Sequence, residues 1–267
     1  VAGRGGVAVS RVALVTGAAR GIGAATVAQL NADGWSIVAV DRAADDPRLP
    51  YAMGTPEQLD AVVGACADAV AVRADVADGA AMAAAVALAE EHFGGLDAVL
   101  ACAGVIAGGV PLWEVPLEQE QAVLETDLIG VMVAARVGIP ALLRRPEPRS
   151  GRFVAIASAA ATRGLPMLAA YCAAKAGVAG LVRALAMELR GSGVTANAVA
   201  PGSTDTPILA ESARLYDLPT GESFASQQPI ERLLEPAEIA AMLVWLAGEH
   251  AGGVTGALIP VDGGLTV

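Results

Sequence analysis

Short apolar runs alternate with helical patterns from one end of this 267-residue chain to the other, and this alternation is its strongest constraint on fold. Seven runs read as strands: Val12–Thr16, Ser36–Val40, Ala69–Arg73, Ala98–Ala101, Phe153–Ala157, Val194–Ala198 and Ala257–Val261. Helical patterns lie between them at about Ile22–Ala32, Gly79–Phe93, Leu117–Leu143, Ala169–Arg190 and Pro236–Ala247. Strand–helix alternation of this kind means a parallel sheet covered by helices on both faces. No internal repeat, linker or break in composition interrupts it, so residues 11–267 are expected to form a single α/β domain.

Composition narrows the setting. Hydrophobic residues make up 55% of the chain but aromatics only 3%, so the core must be built mainly from Ala, Val and Leu. The longest apolar stretches are cut by Arg, Glu, Gly or Pro before the roughly 18 residues of a membrane span, so no membrane segment is expected. A formal charge of −11 with no basic run argues against nucleic acid or an anionic membrane as partner. Val1–Ser10 is Gly-rich, lacks the apolar core of a signal peptide and reads as a flexible tail, which makes a cytoplasmic protein the expectation. Cys66, Cys102 and Cys172 have no C-x-x-C spacing and are expected to be reduced thiols. His92 and His250 form no metal motif.

Thr16-Gly17-Ala18-Ala19-Arg20-Gly21-Ile22-Gly23 joins the first strand to the first helix. Glycines there permit a tight turn and let a pyrophosphate reach backbone N–H groups at the helix N-terminus. Asp41 ends the second strand. A carboxylate there can accept hydrogen bonds from adenosine ribose hydroxyls and would repel a 2′-phosphate, which favours NAD over NADP; Arg42 beside it would soften that preference. Asp75-Val76 ends the third strand, where a carboxylate could meet an adenine edge. Two long segments are loop-like. Arg42–Thr55 leads into Thr55-Pro56-Glu57-Gln58, a helix start with Thr as cap and Pro at the first position. Ser203–Pro229 follows a strand end and is a candidate lid over a ligand.

Tyr171 and Lys175, four residues apart, share one helix face. A lysine beside a phenol favours the phenolate and makes it a proton-transfer group usable near neutral pH. Ser158, thirteen residues upstream, could bring a hydroxyl to the same point and hold a substrate oxygen.

With these motifs the chain resembles the short-chain dehydrogenase/reductases over about residues 11–267. The likeness rests on Thr-Gly-x-x-x-Gly-x-Gly at 16–23, on Ser158, Tyr171 and Lys175, and on Asn197-Ala198-Val199-Ala200-Pro201-Gly202, Val254-Thr255-Gly256 and Val261-Asp262-Gly263-Gly264. It implies a Rossmann-like doubly wound sheet and reversible hydride transfer between NAD and a secondary alcohol or its ketone. By resemblance, Tyr171 is the catalytic acid/base, Lys175 lowers its pKa and holds the nicotinamide ribose, and Ser158 binds the reacting oxygen. Gly17, Arg20, Gly21, Ile22, Gly23, Asp41, Asp75, Val76, Ala103, Gly104, Pro201, Gly202, Thr204 and Thr206 border the cofactor together with Tyr171 and Lys175. A homotetramer is implied as well.

Two positions depart from the family pattern. Ala101-Cys102-Ala103-Gly104 stands where the family has Asn-Asn-Ala-Gly, so Cys102 loses an amide beside the cofactor. Asp127 aligns with the family's fourth catalytic residue, an Asn whose backbone carbonyl holds a relay water; a carboxylate there would alter pKa values near Lys175. The segment between the second and third strands holds a loop and helix over 42–67, and its Pro50-Tyr51-Ala52-Met53-Gly54-Thr55-Pro56-Glu57-Gln58-Leu59 resembles the insertion of the mycofactocin-associated subfamily. That likeness implies NAD held tightly and re-oxidised in place by mycofactocin, a peptide-derived redox carrier. The competing reading, motivated by Cys102 and Asp127, is a dinucleotide-binding sensor or scaffold with impaired chemistry; intact Ser158, Tyr171 and Lys175 favour the enzyme. The substrate pocket is expected from Val105–Val115, Ala159–Met167 and Ser203–Pro229. Its apolar lining would include Ile106, Val110, Leu112, Trp113, Leu165, Met167, Ile208, Leu209 and Leu215, which suits a hydrophobic alcohol.

Overall fold

Val12–Thr16 (β1), Ser36–Asp41 (β2), Ala69–Arg73 (β3), Ala98–Ala101 (β4), Arg152–Ile156 (β5), Thr195–Pro201 (β6) and Leu258–Val261 (β7) form one seven-stranded sheet. The structure, a computed structural model, describes residues 10–267. The strand order is β3-β2-β1-β4-β5-β6-β7, and every neighbouring pair is parallel. All five residues of β1 are buried. Val12 and Leu14 enter one core cluster while Ala13 and Val15 enter the other, as the two-residue period of a strand dictates.

The helices are Gly21–Ala32 (α1), Pro56–Gly64 (α2), Gly79–Phe93 (α3), Leu117–Leu124 (α4), Gly130–Arg144 (α5), Ala169–Glu188 (α6), Pro207–Leu215 (α7) and Pro236–Ala247 (α8). Val27 and Leu30 of α1 pack with Ile239, Leu243 and Leu246 of α8 on one face of the sheet. Met82 and Val86 of α3, Val131 and Ala134 of α5, and Val178 and Val182 of α6 cover the other. The chain winds outward from β1 through β2 to β3, then returns to place β4 on the far side of β1. At that reversal the loops leaving β1 and β4 diverge and open a cleft at the C-terminal strand ends.

Several expectations need correction. Residues 1–9 of the expected tail lie outside the described residues, but Ser10 is tied down: its hydroxyl donates to the Gly34 carbonyl (2.7 Å). The helix expected over Leu117–Leu143 is interrupted by a π-helical turn at Glu125–Ile129, in which the Gly130 N–H donates to the Glu125 carbonyl. The wider turn presents two consecutive side chains, Thr126 and Asp127, to the cleft. The 203–229 segment is not a bare loop, since it holds α7 and a 3₁₀ helix at Gly221–Gln227. Thr206 as cap with Pro207 behind it is the local signal that starts α7. Two helical stretches, Leu117–Arg144 and Ala169–Glu188, do reach the length and apolar character of a membrane span. Here both turn buried residues onto the sheet.

Candidate active site

The cleft has a volume of about 560 Å³. Every residue expected in a catalytic or cofactor-binding role lines it: Gly17, Arg20, Gly21, Ile22, Gly23, Asp41, Asp75, Val76, Ala103, Gly104, Asp127, Ser158, Tyr171, Lys175, Pro201, Gly202, Thr204 and Thr206. One end is made by the turn after β1. Gly17 adopts a left-handed φ of +67°, and a Cβ there would stand 2.7 Å from the Ala103 Cα. The Thr16 hydroxyl accepts from the N–H groups of Cys102 and Ala103, both at 3.1 Å, and so binds this turn to the end of β4. Among the described residues no side chain caps α1, and its first turn carries no acidic residue. An uncapped helix N-terminus opening on a glycine-lined cleft is what a dinucleotide's diphosphate requires, so these residues fit NAD.

Each Asp41 oxygen accepts one backbone N–H, from Ala19 (3.0 Å) and Ala43 (2.9 Å). Each retains a lone pair for a ribose hydroxyl. Arg42 does not offer its charge freely to a phosphate, because Nη1 pairs with Asp46 at 2.7 Å. Asp75 accepts from the Ala77 N–H (2.9 Å), as in a turn, and still borders the cleft. Val76 is buried against Gly130, where a Cβ would meet its side chain. Thr206 is partly committed to folding, since its hydroxyl accepts from the Leu209 N–H (3.3 Å) at the start of α7 and donates to the Thr204 carbonyl (3.2 Å). Thr204 donates to the Gly202 carbonyl (3.0 Å).

At the centre of the cleft, Lys175 is 2% exposed and Asp127 is fully buried. Lys175 Nζ lies 3.3 Å from Asp127 Oδ2 and donates to the Ile156 carbonyl at 3.2 Å. Asp127 Oδ1 accepts from the Val105 N–H (2.8 Å), whereas Oδ2, facing Lys175, accepts no hydrogen bond among the described residues. The Asp127 side chain itself therefore reaches Lys175, where the family likeness gave that place to a backbone carbonyl and a water. Burial lifts the Asp127 carboxyl, with Lys175 opposing. Burial would depress the Lys175 ammonium, but Asp127 and Tyr171 outweigh it and hold the ammonium above its ordinary value. Tyr171 opens on the cleft yet is surrounded by protein, and that burial lifts its phenol; Lys175 and Ser158 pull down, and Asp127 pushes up. Lys175 acts on the phenol in the expected, lowering direction, although burial outweighs it. The Ser158 hydroxyl accepts from the Ala160 N–H (3.1 Å), which fixes it at the head of a 3₁₀ turn over Ala159–Ala161. The Cys102 thiol is pushed up to about 12 by burial, so it stays neutral and acts by packing.

The segment 42–55 forms a strap beside the cofactor end. Asp46 is held by Arg48 and Arg42, and these contacts keep its carboxyl well below the usual range. Met53 and Gly54 line the cleft, and a Cβ on Gly54 would stand 3.2 Å from an Asp41 oxygen. Arg20 Nη1 donates to the Ala52 carbonyl (2.9 Å). Tyr51 reaches furthest: its oxygen accepts the Ile106 N–H (2.9 Å), and its ring packs in the cluster that holds Val105, Ala122 and Tyr171. No pattern in the sequence singles out Tyr51. Of the expected substrate lining, Ile106, Leu165, Ile208 and Leu209 border the cleft, whereas Val110, Leu112, Trp113, Met167 and Leu215 do not. Trp113 is 84% exposed. Leu168, Tyr216, Leu218 and Phe224 complete the apolar wall instead.

Known proteins share this architecture. Residues 17–266 match the family profile adh_short_C2, described as enoyl-(acyl carrier protein) reductase. A cis-4-hydroxycyclohexanecarboxylate dehydrogenase of Sinomonas cyclohexanicum is 39% identical, over 96% of each chain. A (−)-trans-carveol dehydrogenase of Rhodococcus erythropolis is 34% identical, over 96% of this chain and 98% of the relative. The crystal structure of a carveol dehydrogenase from Mycobacterium avium in complex with NAD superposes with a TM-score of 0.90. It is 30% identical, over 97% of this chain and 99% of that one. NAD is bound in that structure and in a short-chain dehydrogenase of Mycobacterium paratuberculosis, and the Asp41 carboxylate of this chain suits the same cofactor. On its fold, its motifs and these likenesses, the chain belongs to the short-chain dehydrogenase/reductase family.

Proposed function

We propose that this protein interconverts a cyclic, largely apolar secondary alcohol and its ketone. The carrying observation is the meeting of Ser158, Tyr171 and Lys175 at the middle of one cleft. Its far end is the uncapped α1 N-terminus with Asp41, and its near end is apolar. The relatives that act on carveol and on hydroxycyclohexanecarboxylate support a ring-bearing substrate. Bound NAD supplies the hydride acceptor in oxidation and the donor in reduction. Gly17, Gly21, Ile22 and Gly23 hold its diphosphate, Asp41 its adenosine ribose, and Asp75 and Val76 border the adenine. Arg20 braces the strap at that end; Ala103, Gly104, Pro201, Gly202, Thr204 and Thr206 flank the nicotinamide half.

Ser158 Oγ holds the reacting oxygen. Tyr171 Oη takes the hydroxyl proton in oxidation and returns it in reduction. Lys175 Nζ offsets the charge on the phenolate, and Asp127 holds Lys175 in place by direct contact. The strap over the cofactor end supports a finer reading, in which NAD stays bound and is re-oxidised in place by mycofactocin. Three free cysteines agree with a reducing cytoplasm, and Ile129, Met132 and Met187, exposed on the helices beside the cleft, suit the faces of a homotetramer.

The test is Tyr171→Phe, assayed with cyclic alcohols, NAD and an artificial electron acceptor so that a retained cofactor does not hide turnover. Loss of about 10³-fold in kcat is expected with NAD still bound. Undiminished turnover would sink the mechanism.

A further inference from the structure

The substrate end of the cleft is largely apolar, with Ser212, Tyr216 and Gln227 as its neutral polar side chains. Leu165, Leu168, Ile208, Leu209 and Phe224 face it, and among the described residues there Arg163 is the only charged one. The position of Arg163 is fixed relative to Ser158. The Ala161 N–H donates to the Ser158 carbonyl and the Arg163 N–H to the Ala159 carbonyl, both at 2.9 Å, so one hydrogen-bonded turn carries both residues. The guanidinium is anchored by one edge, because Nη1 donates to the Leu265 carbonyl at 2.8 Å. That carbonyl belongs to a C-terminal turn held by Asp262, whose carboxylate accepts from the Gly264 N–H (3.0 Å) and the Thr266 hydroxyl. Among the described residues no carboxylate pairs with Arg163, and Nε and Nη2 donate to none of them.

We infer that Arg163 is the anion-binding residue of the substrate site, and that the substrate is a secondary alcohol or ketone whose apolar frame carries a carboxylate. The inference rests on the hydride-transfer reading for the placing of the hydroxyl at Ser158 and Tyr171. A guanidinium with its Nε/Nη2 edge open matches the two oxygens of a carboxylate. Arg163 is itself exposed at the rim of the cleft, so it meets the carboxylate where the apolar walls give way to solvent. A single arginine suits a monoanion. The arrangement also fixes orientation: the reacting hydroxyl goes to Ser158 and the carboxylate to Arg163, so a rigid ring between them is held at both ends.

Titration calorimetry on the NAD-loaded protein would test this with cyclohexanecarboxylate and its neutral counterpart, cyclohexanecarboxamide. The carboxylate is expected to bind about tenfold more tightly or better, a difference of about 1.4 kcal/mol. Arg163→Gln should bring the two ligands within about twofold of each other, and Arg163→Lys should restore part of the gap by charge without the fork. If Arg163 serves only to pin the C-terminal turn, R163Q lowers the melting temperature and leaves the preference for the carboxylate intact. Equal affinity in the unaltered protein, a preference that survives R163Q, or failure of both ligands to bind would each overturn the inference. Turnover of cyclohexanol separates this result from the broader reading. Oxidation of cyclohexanol without any carboxylate preference removes Arg163 alone. A carboxylate preference without turnover of any alcohol removes the dehydrogenase reading and leaves the anion site standing.

Discussion

Asp127 is the residue whose environment most alters the chemistry expected of this site. A carboxylate whose Oδ2 lies 3.3 Å from Lys175 partly cancels the charge that would stabilise the Tyr171 phenolate. The phenolate is the form that accepts an alcohol proton, so oxidation speeds up as pH rises through the Tyr171 pKa. The groups that set this pKa are Lys175, Ser158, Asp127 and Cys172; the first two lower it, and Asp127 and Cys172 raise it. Asp127→Asn removes a raising charge and keeps the shape. The rising limb of kcat/KM against pH should therefore move towards acid, and an unmoved limb would show that the carboxylate does not act on Tyr171. The same substitution leaves Lys175 buried without its counter-charge, so D127N should also unfold at a lower temperature.

Among the elements, the strap over 42–55 and the π turn at Glu125–Ile129 decide the shape of the cleft. Tyr51 joins the strap to the segment after β4 by accepting the Ile106 N–H. Ile106 is 2% exposed, so Tyr51→Phe strands a donor that water does not readily reach. The expected cost is about 1–3 kcal/mol, read as a fall of several degrees in Tm. An unchanged Tm would mean that the strap is not braced there. The start of α2 is legible in the residues alone. Thr55 accepts from the Gln58 N–H (3.2 Å) while Gln58 accepts from the Thr55 N–H (3.0 Å), the reciprocal cap that the order Thr-Pro-Glu-Gln announces. The π turn is not legible in the same way. Its residues read as ordinary helix, and Gly130, which closes it, packs against Val76 where a Cβ would meet that side chain.

At the scale of the whole molecule, the strap and the sheet enclose the cofactor end together. If they close on bound NAD, protein that has been dialysed exhaustively and then denatured should release NAD in stoichiometric amount, as measured by mass spectrometry. A protein that comes through dialysis empty would remove the proposal of re-oxidation in place. Sedimentation should return the mass of four chains, and a monomer would refute the tetramer. The sequence by itself determined the parallel sheet, the glycine turn, Asp41 and the Ser158, Tyr171 and Lys175 set. These are written in local periodicity and fixed spacing, which survive whatever the rest of the chain does. Only the tertiary structure decided that the Asp127 side chain meets Lys175, that Tyr51 reaches Ile106 fifty-five residues away, and that Arg163 stands at the rim of the substrate end of the cleft. Those facts depend on how separate elements pack, and no short-range pattern encodes a contact between residues that only the closed fold brings together.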